Sequence, residues 1–179
     1  MKKDEEPNEE QDAKQSADPK EKSKREPKPD TTAIAAELEN LVTVAFAAIN
    51  DRNWPYLLSP ESHIAPFVSM GASGMRPSAN SHAKMIADFQ ALVEDYPDYR
   101  LHIVSMSTQV YENVSAAEVF ANCEVTGGPG VPVGMSRKTV SCFEFQRIDG
   151  VWMAVRDTTI PGGGEDRGGF GGEMDMGMG

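Results

Sequence analysis

The sequence predicts an α+β domain, with helices laid on one face of an antiparallel sheet. Three observations predict it. Apolar residues recur at steps of three and four in two separate stretches, the spacing of helices with one buried face. From about residue 99 onward they alternate instead, in long runs, which is the spacing of strands. An Asp-Gly pair, Asp149-Gly150, sits between two of those runs, V-S-C-F-E-F-Q-R-I and V-W-M-A-V-R-D. Both central residues of a type I′ turn need positive φ, so Asp-Gly between alternating runs is a strong hairpin signal.

The first helix is expected over Thr31–Asn50. Its stripe is Ile34, Leu38, Leu41, Val42, Ala45, Phe46 and Ile49, and Asp30, Thr31 or Thr32 can cap it. Asp51-Arg52-Asn53 ends it. Trp54–Leu58 begins a short helical turn, with Pro55 at a tolerated first-turn position. Ser62–Met70 reads as a short strand that Pro66 confines to a sheet edge. Gly71–Asn80 reads as a loop. Ser81 or Asn80 caps a second long helix, His82–Asp95, whose stripe is Met85, Ile86, Phe89, Leu92 and Val93, and Pro97 stops it. Tyr99–Tyr111 and Val114–Thr126 are two long strands, joined by a tight turn at Glu112-Asn113. The Gly- and Pro-rich stretch Gly127–Met135 leads to the final hairpin, Thr139–Ile148 and Val151–Thr158.

The ends differ from this folded part. Residues 1–30 hold eight basic and ten acidic residues and no Ile, Leu, Val or aromatic residue. Such a segment cannot bury enough apolar surface to offset its chain entropy, so a disordered arm is expected. Residues 162–179 form a Gly/Met-rich tail expected to be disordered. The folded domain is thus residues 31–161, with fourteen acidic against eight basic residues. That balance argues against nucleic acid or an anionic membrane as partner. The N-terminus M-K-K-D-E-E has no apolar signal region, and no run approaches the ~20 apolar residues of a membrane span. Cys123 and Cys142 lack zinc spacing, so no metal is expected and a cytoplasmic location with reduced thiols is the default.

The first helix ends in A-A-I-N-D-R-N-W, a middle helix runs into Y-P-D-Y-R-L, and the last hairpin reads F-E-F-Q-R-I-D-G-V-W-M-A-V-R-D. This ordered set resembles the SnoaL-like branch of the nuclear transport factor 2-like (NTF2-like) superfamily, over about residues 34–160. The resemblance implies a cone: a curved antiparallel sheet packed against N-terminal helices, with an internal apolar pocket. It also implies a cofactor-free enzyme, of the polyketide cyclase, dehydratase or isomerase type, or a non-catalytic binding or interaction module. Cyclase-like members commonly read D-G-K-I-x-E-H-W-D in the last hairpin. Here the same positions read D-G-V-W-M-A-V-R-D, so Ala154 replaces the acid and only Asp157 matches.

Counting register from the two turns, and taking Gly127–Arg137 as a symmetric connection, gives the expected faces. One holds Leu101, Ile103, Glu118, Phe120, Asn122, Phe143, Phe145, Arg147, Trp152, Ala154 and Arg156. The other holds His102, Val104, Met106, Val119, Ala121, Cys123, Cys142, Met153, Val155 and Asp157. Glu118 is thereby placed opposite Arg147, and Cys123 opposite Cys142. The aromatic face suits a pocket, with Glu118, Asn122 and Arg156 as its polar groups. The bland alternative for Glu118 is a cross-strand ion pair with Arg147. Candidate acid/base groups are Glu118, His63 and Asp157, with Arg156 to stabilise an enolate-like oxygen. For His63 the alternative is an exposed edge histidine. The wall would come from Trp54, Tyr56, Phe67, Phe89, Phe120, Asn122, Phe143, Phe145 and Trp152. The expected ligand is an apolar small molecule, a polycyclic one among the candidates, in a setting such as secondary metabolism. The Val/Met/Cys face is expected to form a homodimer, because helices cover only one side of the sheet.

Overall fold

A computed structural model describes residues 30–71, 78–111 and 114–162. The two tails, most of the Gly71–Asn80 loop and the Glu112-Asn113 turn lie outside the described residues.

Helix α1, Thr31–Asn50, starts where Asp30 accepts hydrogen bonds from the amides of Thr32 (3.0 Å) and Ala33 (3.3 Å). It ends at Asp51, and Arg52 follows in the left-handed region at φ 59°. The Arg52 guanidinium donates to the carbonyls of Ile49 (2.9 Å), Pro97 (3.0 Å) and Tyr99 (3.0 Å). A cation at a helix C-terminus meets the negative end of the helix dipole. Asn50 adds a two-way bond with the Leu101 backbone, 2.8 Å in each direction. The end of α1 is thus bolted to the following helix–strand junction. By length and composition α1 could also span a membrane, which amends the expectation from sequence. In this fold Leu38, Val42, Phe46 and Ile49 are its buried stripe.

Helix α2, Trp54–Leu57, is capped by Asn53, and a 3-10 turn over Pro60–Ser62 follows. Strand β1, Ile64–Met70, precedes helix α3, His82–Asp95, which Ser81 caps through the Lys84 amide. Then come β2 (Arg100–Val110), β3 (Ala116–Thr126), β4 (Arg137–Ile148) and β5 (Val151–Pro161). The strand order is β1-β5-β4-β3-β2. The last four strands form the expected meander; β1 joins β5 in parallel, at the edge that Pro66 requires. Asp149 and Gly150 both have positive φ, 50° and 84°, as their turn demands. Gly127, at φ 63°, closes β3 so tightly that a Cβ there would lie 2.3 Å from the Asp98 carbonyl oxygen.

Two registers differ from the count along the sequence. Val110 pairs with Ala117, so the β2–β3 reversal is two residues longer than a two-residue turn. That shift preserves faces, but a bulge between Ile103 and Ser105 moves Leu101 and Ile103 to the opposite face. The β3–β4 connection is not symmetric: Glu118 lies opposite Glu144, and Cys123 opposite Thr139. This offset is odd, so it exchanges the faces of β4 and β5 relative to β3. Neither the Glu118–Arg147 pair nor the Cys123–Cys142 pair exists. Arg147 instead donates from Nε to the Gly150 carbonyl at 3.1 Å.

The inner face therefore carries Ala117, Val119, Ala121, Cys123 and Val125 from β3, with Phe143 and Phe145 from β4. Helix α1 packs on it through Leu38, Val42 and Phe46, and Phe46 meets Phe143 edge to face at 5.8 Å. Helix α3, Leu57 and β1 build a second cluster around Ile86, Phe89 and Val68. The expected dimer face is corrected accordingly. Met106, Val119 and Ala121 point into the core, and Val119 is 0 % exposed. The outer face instead shows Val104 (60 % exposed), Phe120 (36 %) and Ile160.

Candidate functional site

Between the helices and the inner face lies a cavity of about 80 Å³. Leu41, Val42, Ala45, Phe46 and Ile49 of α1 line one side, with Met85, Ile86 and Phe89 of α3. The stripes that make these helices amphipathic are thus also the cavity wall. The sheet contributes Leu101, Cys123, Val125, Phe143, Phe145 and Ala154. Four polar side chains interrupt this apolar lining from β4 and β5: Thr139, Ser141, Asp157 and Thr159, all buried. The volume is small. Sites for drug-sized ligands run to roughly 300–1,000 Å³, and an engineered cavity of about 150 Å³ holds benzene. In this form the cavity does not admit a polycyclic molecule.

A bulge explains why a carboxylate is here. In β5, Ala154 pairs with Phe145 and Arg156 with Glu144, so Val155 is the extra residue. Beyond it Asp157 pairs with Phe143 rather than Cys142. The one-residue shift turns Asp157 inward, against the expectation that it lies on the face away from the pocket. Its side chain is in a residue only 8 % exposed. Thr159 Oγ1 donates to Asp157 Oδ1 at 3.2 Å, and Ser141 Oγ lies 2.8 Å from Thr159 Oγ1. Cys123 shares this wall. Burial, and then the Asp157 charge, push its thiol from 9.0 up to about 11, so it stays protonated and is no nucleophile at neutral pH.

The other sequence candidates are dispersed. Glu118, Phe120 and Asn122 lie on the outer face, since they alternate with the buried Val119 and Ala121. The Tyr111 hydroxyl hydrogen-bonds Glu118, which holds the Tyr111 pKa above its ordinary value. Asn122 donates to Ser105 Oγ at 2.9 Å. Arg156 borders the cavity, but its guanidinium reaches across the outer face to Glu144 at 3.4 Å. His63 does not line the cavity. It sits in the left-handed region at φ 56°, with Nδ1 2.9 Å from the Trp152 carbonyl. A carbonyl only accepts, so Nδ1 carries the proton. Of the expected wall residues, Phe89, Phe143 and Phe145 line the cavity. Trp152, Trp54 and Tyr56 pack in the core clusters, and Phe67 is 59 % exposed at the edge. Sequence reasoning missed Ser62, Thr139, Ser141 and Thr159 as lining groups. A signal was there: Thr139, Ser141, Phe143 and Phe145 alternate along β4 on one face. Among the described residues no three His, Cys, Asp or Glu gather at metal-ligand range.

No family model matches the sequence, and no curated protein matches it. Solved structures do resemble the fold. An NTF2-like protein of unknown function from Pseudomonas putida aligns with a TM-score of 0.58 at 14% identity, over 72% of this chain and 87% of that one. An NTF2-like protein with a cystatin-like fold from Novosphingobium aromaticivorans gives 0.54 at 16% identity, over 76% and 93%. A hexachlorocyclohexane dehydrochlorinase from Novosphingobium barchaimii gives 0.57 at 12% identity, over 75% and 92%. Helices packed over one face of a curved sheet, a cavity between them, and these alignments across most of each neighbour establish that the chain has the NTF2-like fold.

Proposed function

We propose that the protein binds a small apolar molecule in this cavity and acts on it by cofactor-free acid/base chemistry, as an eliminating or isomerising enzyme. The observation that carries this reading is the buried Asp157 carboxylate in a cavity whose lining is mainly apolar. A carboxylate in such a place is a positioned base. It would take a proton from a ligand carbon. The C–H electron pair would then form a new double bond, either as a leaving group departs with its own pair or as an adjacent double bond shifts and its far carbon takes the proton back from Asp157. The dehydrochlorinase among the structural neighbours catalyses an elimination by its name, which is in keeping with this reaction class. Arg156 has no part in the proposal, because its guanidinium is turned outward to Glu144.

A second reading, a non-catalytic binding or interaction module, is favoured by the exposed Val104, Phe120 and Ile160 on the outer face. Sheet-to-sheet pairing of two copies would cover them. Native mass spectrometry of the full chain for a co-purified small molecule, followed by turnover assays on it, separates the two. Asp157→Asn is expected to lower turnover by about a hundredfold or more with melting preserved. Undiminished turnover would remove Asp157 from the reaction. A retained ligand that wild type never converts would favour the module.

A further inference from the structure

The polar wall of the cavity has a direction. A hydroxyl has one proton to give and two lone pairs to receive with, whereas a carboxylate only receives. Thr159 gives its proton to Asp157 Oδ1 at 3.2 Å. Thr159 Oγ1 also lies 2.8 Å from Ser141 Oγ. With the Thr159 proton spent on Asp157, Ser141 must be the donor in that contact. Ser141, a lining residue 5 % exposed, then has lone pairs and no proton to offer from its hydroxyl. Two further lining groups spend their protons inside the protein. Ser62 Oγ donates to the Ser59 carbonyl at 2.8 Å, and the Cys123 thiol to the Ala121 carbonyl at 3.6 Å. Thr139 keeps a rotatable hydroxyl that can give or accept, so it favours neither kind of ligand.

Resting on the reading of the cavity as a ligand site, we propose that it selects small apolar molecules that carry a hydrogen-bond donor, an alcohol above all, over ketones of the same shape and over carboxylates. An alcohol can place its proton on Ser141 Oγ. A ketone or a carboxylate sets its oxygen lone pairs against those of Ser141 and leaves that acceptor unmatched. The cavity volume of about 80 Å³ adds a size limit of a few carbons, unless the helices part.

Methyl-detected NMR titration of the full chain tests this, read at Val42, Ile86 and Leu101. The probes are sec-butanol and butanone, matched in shape, with cyclohexanol and cyclohexanone as a larger pair. Sec-butanol is expected to bind about tenfold more tightly than butanone. Thr159→Val releases the Ser141 proton towards the cavity, so the preference should narrow or invert. Ser141→Ala, which removes the accepting oxygen, should lessen it. Equal affinity for alcohol and ketone in the wild type overturns the selection while leaving the cavity reading intact. A preference unchanged in both variants overturns the assignment to Ser141 and Thr159. If neither pair moves the cavity methyl signals, the ligand-site reading fails and the selection fails with it.

Discussion

Cys123 turns the burial of the cavity wall into a measurable dependence on pH. Its residue is 2 % exposed, and burial together with the Asp157 charge lifts the thiol from 9.0 to about 11. The unfolded chain titrates the same thiol near its ordinary value. A pKa raised by folding gives stability that is complete below the unfolded value and is lost as pH climbs towards the folded one. The window therefore opens near pH 9 and closes near pH 11. Two pKa units at about 1.36 kcal/mol each set the full loss at ~2.7 kcal/mol, of which ~1.4 kcal/mol is gone at about pH 10. Urea unfolding under reducing conditions measures it, at about pH 8 and about pH 10, for wild type and Cys123→Ala. The substitution has its own packing cost at both pH values, so the difference between the two differences isolates the ionisation. Wild type is expected to lose ~1.4 kcal/mol more than the variant over this interval. Cys142, whose pKa is also raised by burial and then by Glu118, is common to both proteins and cancels. Losses that run parallel in the two proteins would refute the buried, charge-facing placement of Cys123. Asp157→Asn, which removes the neighbouring charge, should shrink the extra loss without abolishing it.

Val119→Lys is expected to cost about 3–5 kcal/mol in chemical denaturation, because an unpaired ammonium would face α1 in the core; a folded, fully stable variant would contradict the inner-face assignment. Gly127→Ala should cost more than the ~1–2 kcal/mol of a left-handed conformation alone, since its methyl would meet the Asp98 backbone; unchanged melting would refute that contact. For the homodimer, sedimentation equilibrium at micromolar concentration should show two copies, and Phe120→Lys on the outer face should dissociate them without lowering the monomer's stability. A wild-type monomer at every concentration ends that proposal.

The elements were legible because each has a strong local cause. The stripes of α1 and α3, the caps at Asp30 and Ser81, Pro66 at the edge and Asp149-Gly150 in the turn all act within a few residues. The register was not legible, because nothing local sets it. Gly127–Ser136 fixes how β3 meets β4 through its own path, and a path of many residues does not announce whether its offset is odd or even. From that one parity came the misplacement of Glu118, Phe120 and Asn122, and of Val119 as a dimer contact. Phe143 and Phe145 were placed on the cavity side nonetheless, because ring content marked their strand face independently of its neighbours. The hydroxyls of Ser141 and Thr159 went unread because such residues are ordinary on any strand, and only pairing brings them together at 2.8 Å.

The extra residue at Val155 has a consequence for how chemistry is gained or lost on this sheet. Residues beyond it are re-aimed together, so the inward carboxylate depends on Val155 staying out of the ladder as much as on the letters of β5. A regular ladder that paired Val155 with Glu144 would turn Asp157 to the solvent side and Arg156 to the interior. The hairpin would still close at Asp149-Gly150, and every side chain of the wall would still be encoded. Two chains that align perfectly at this aspartate can therefore hold it on opposite sides of the same strand. In such proteins a single bulge is a switch between an acid inside an apolar chamber and an acid in water.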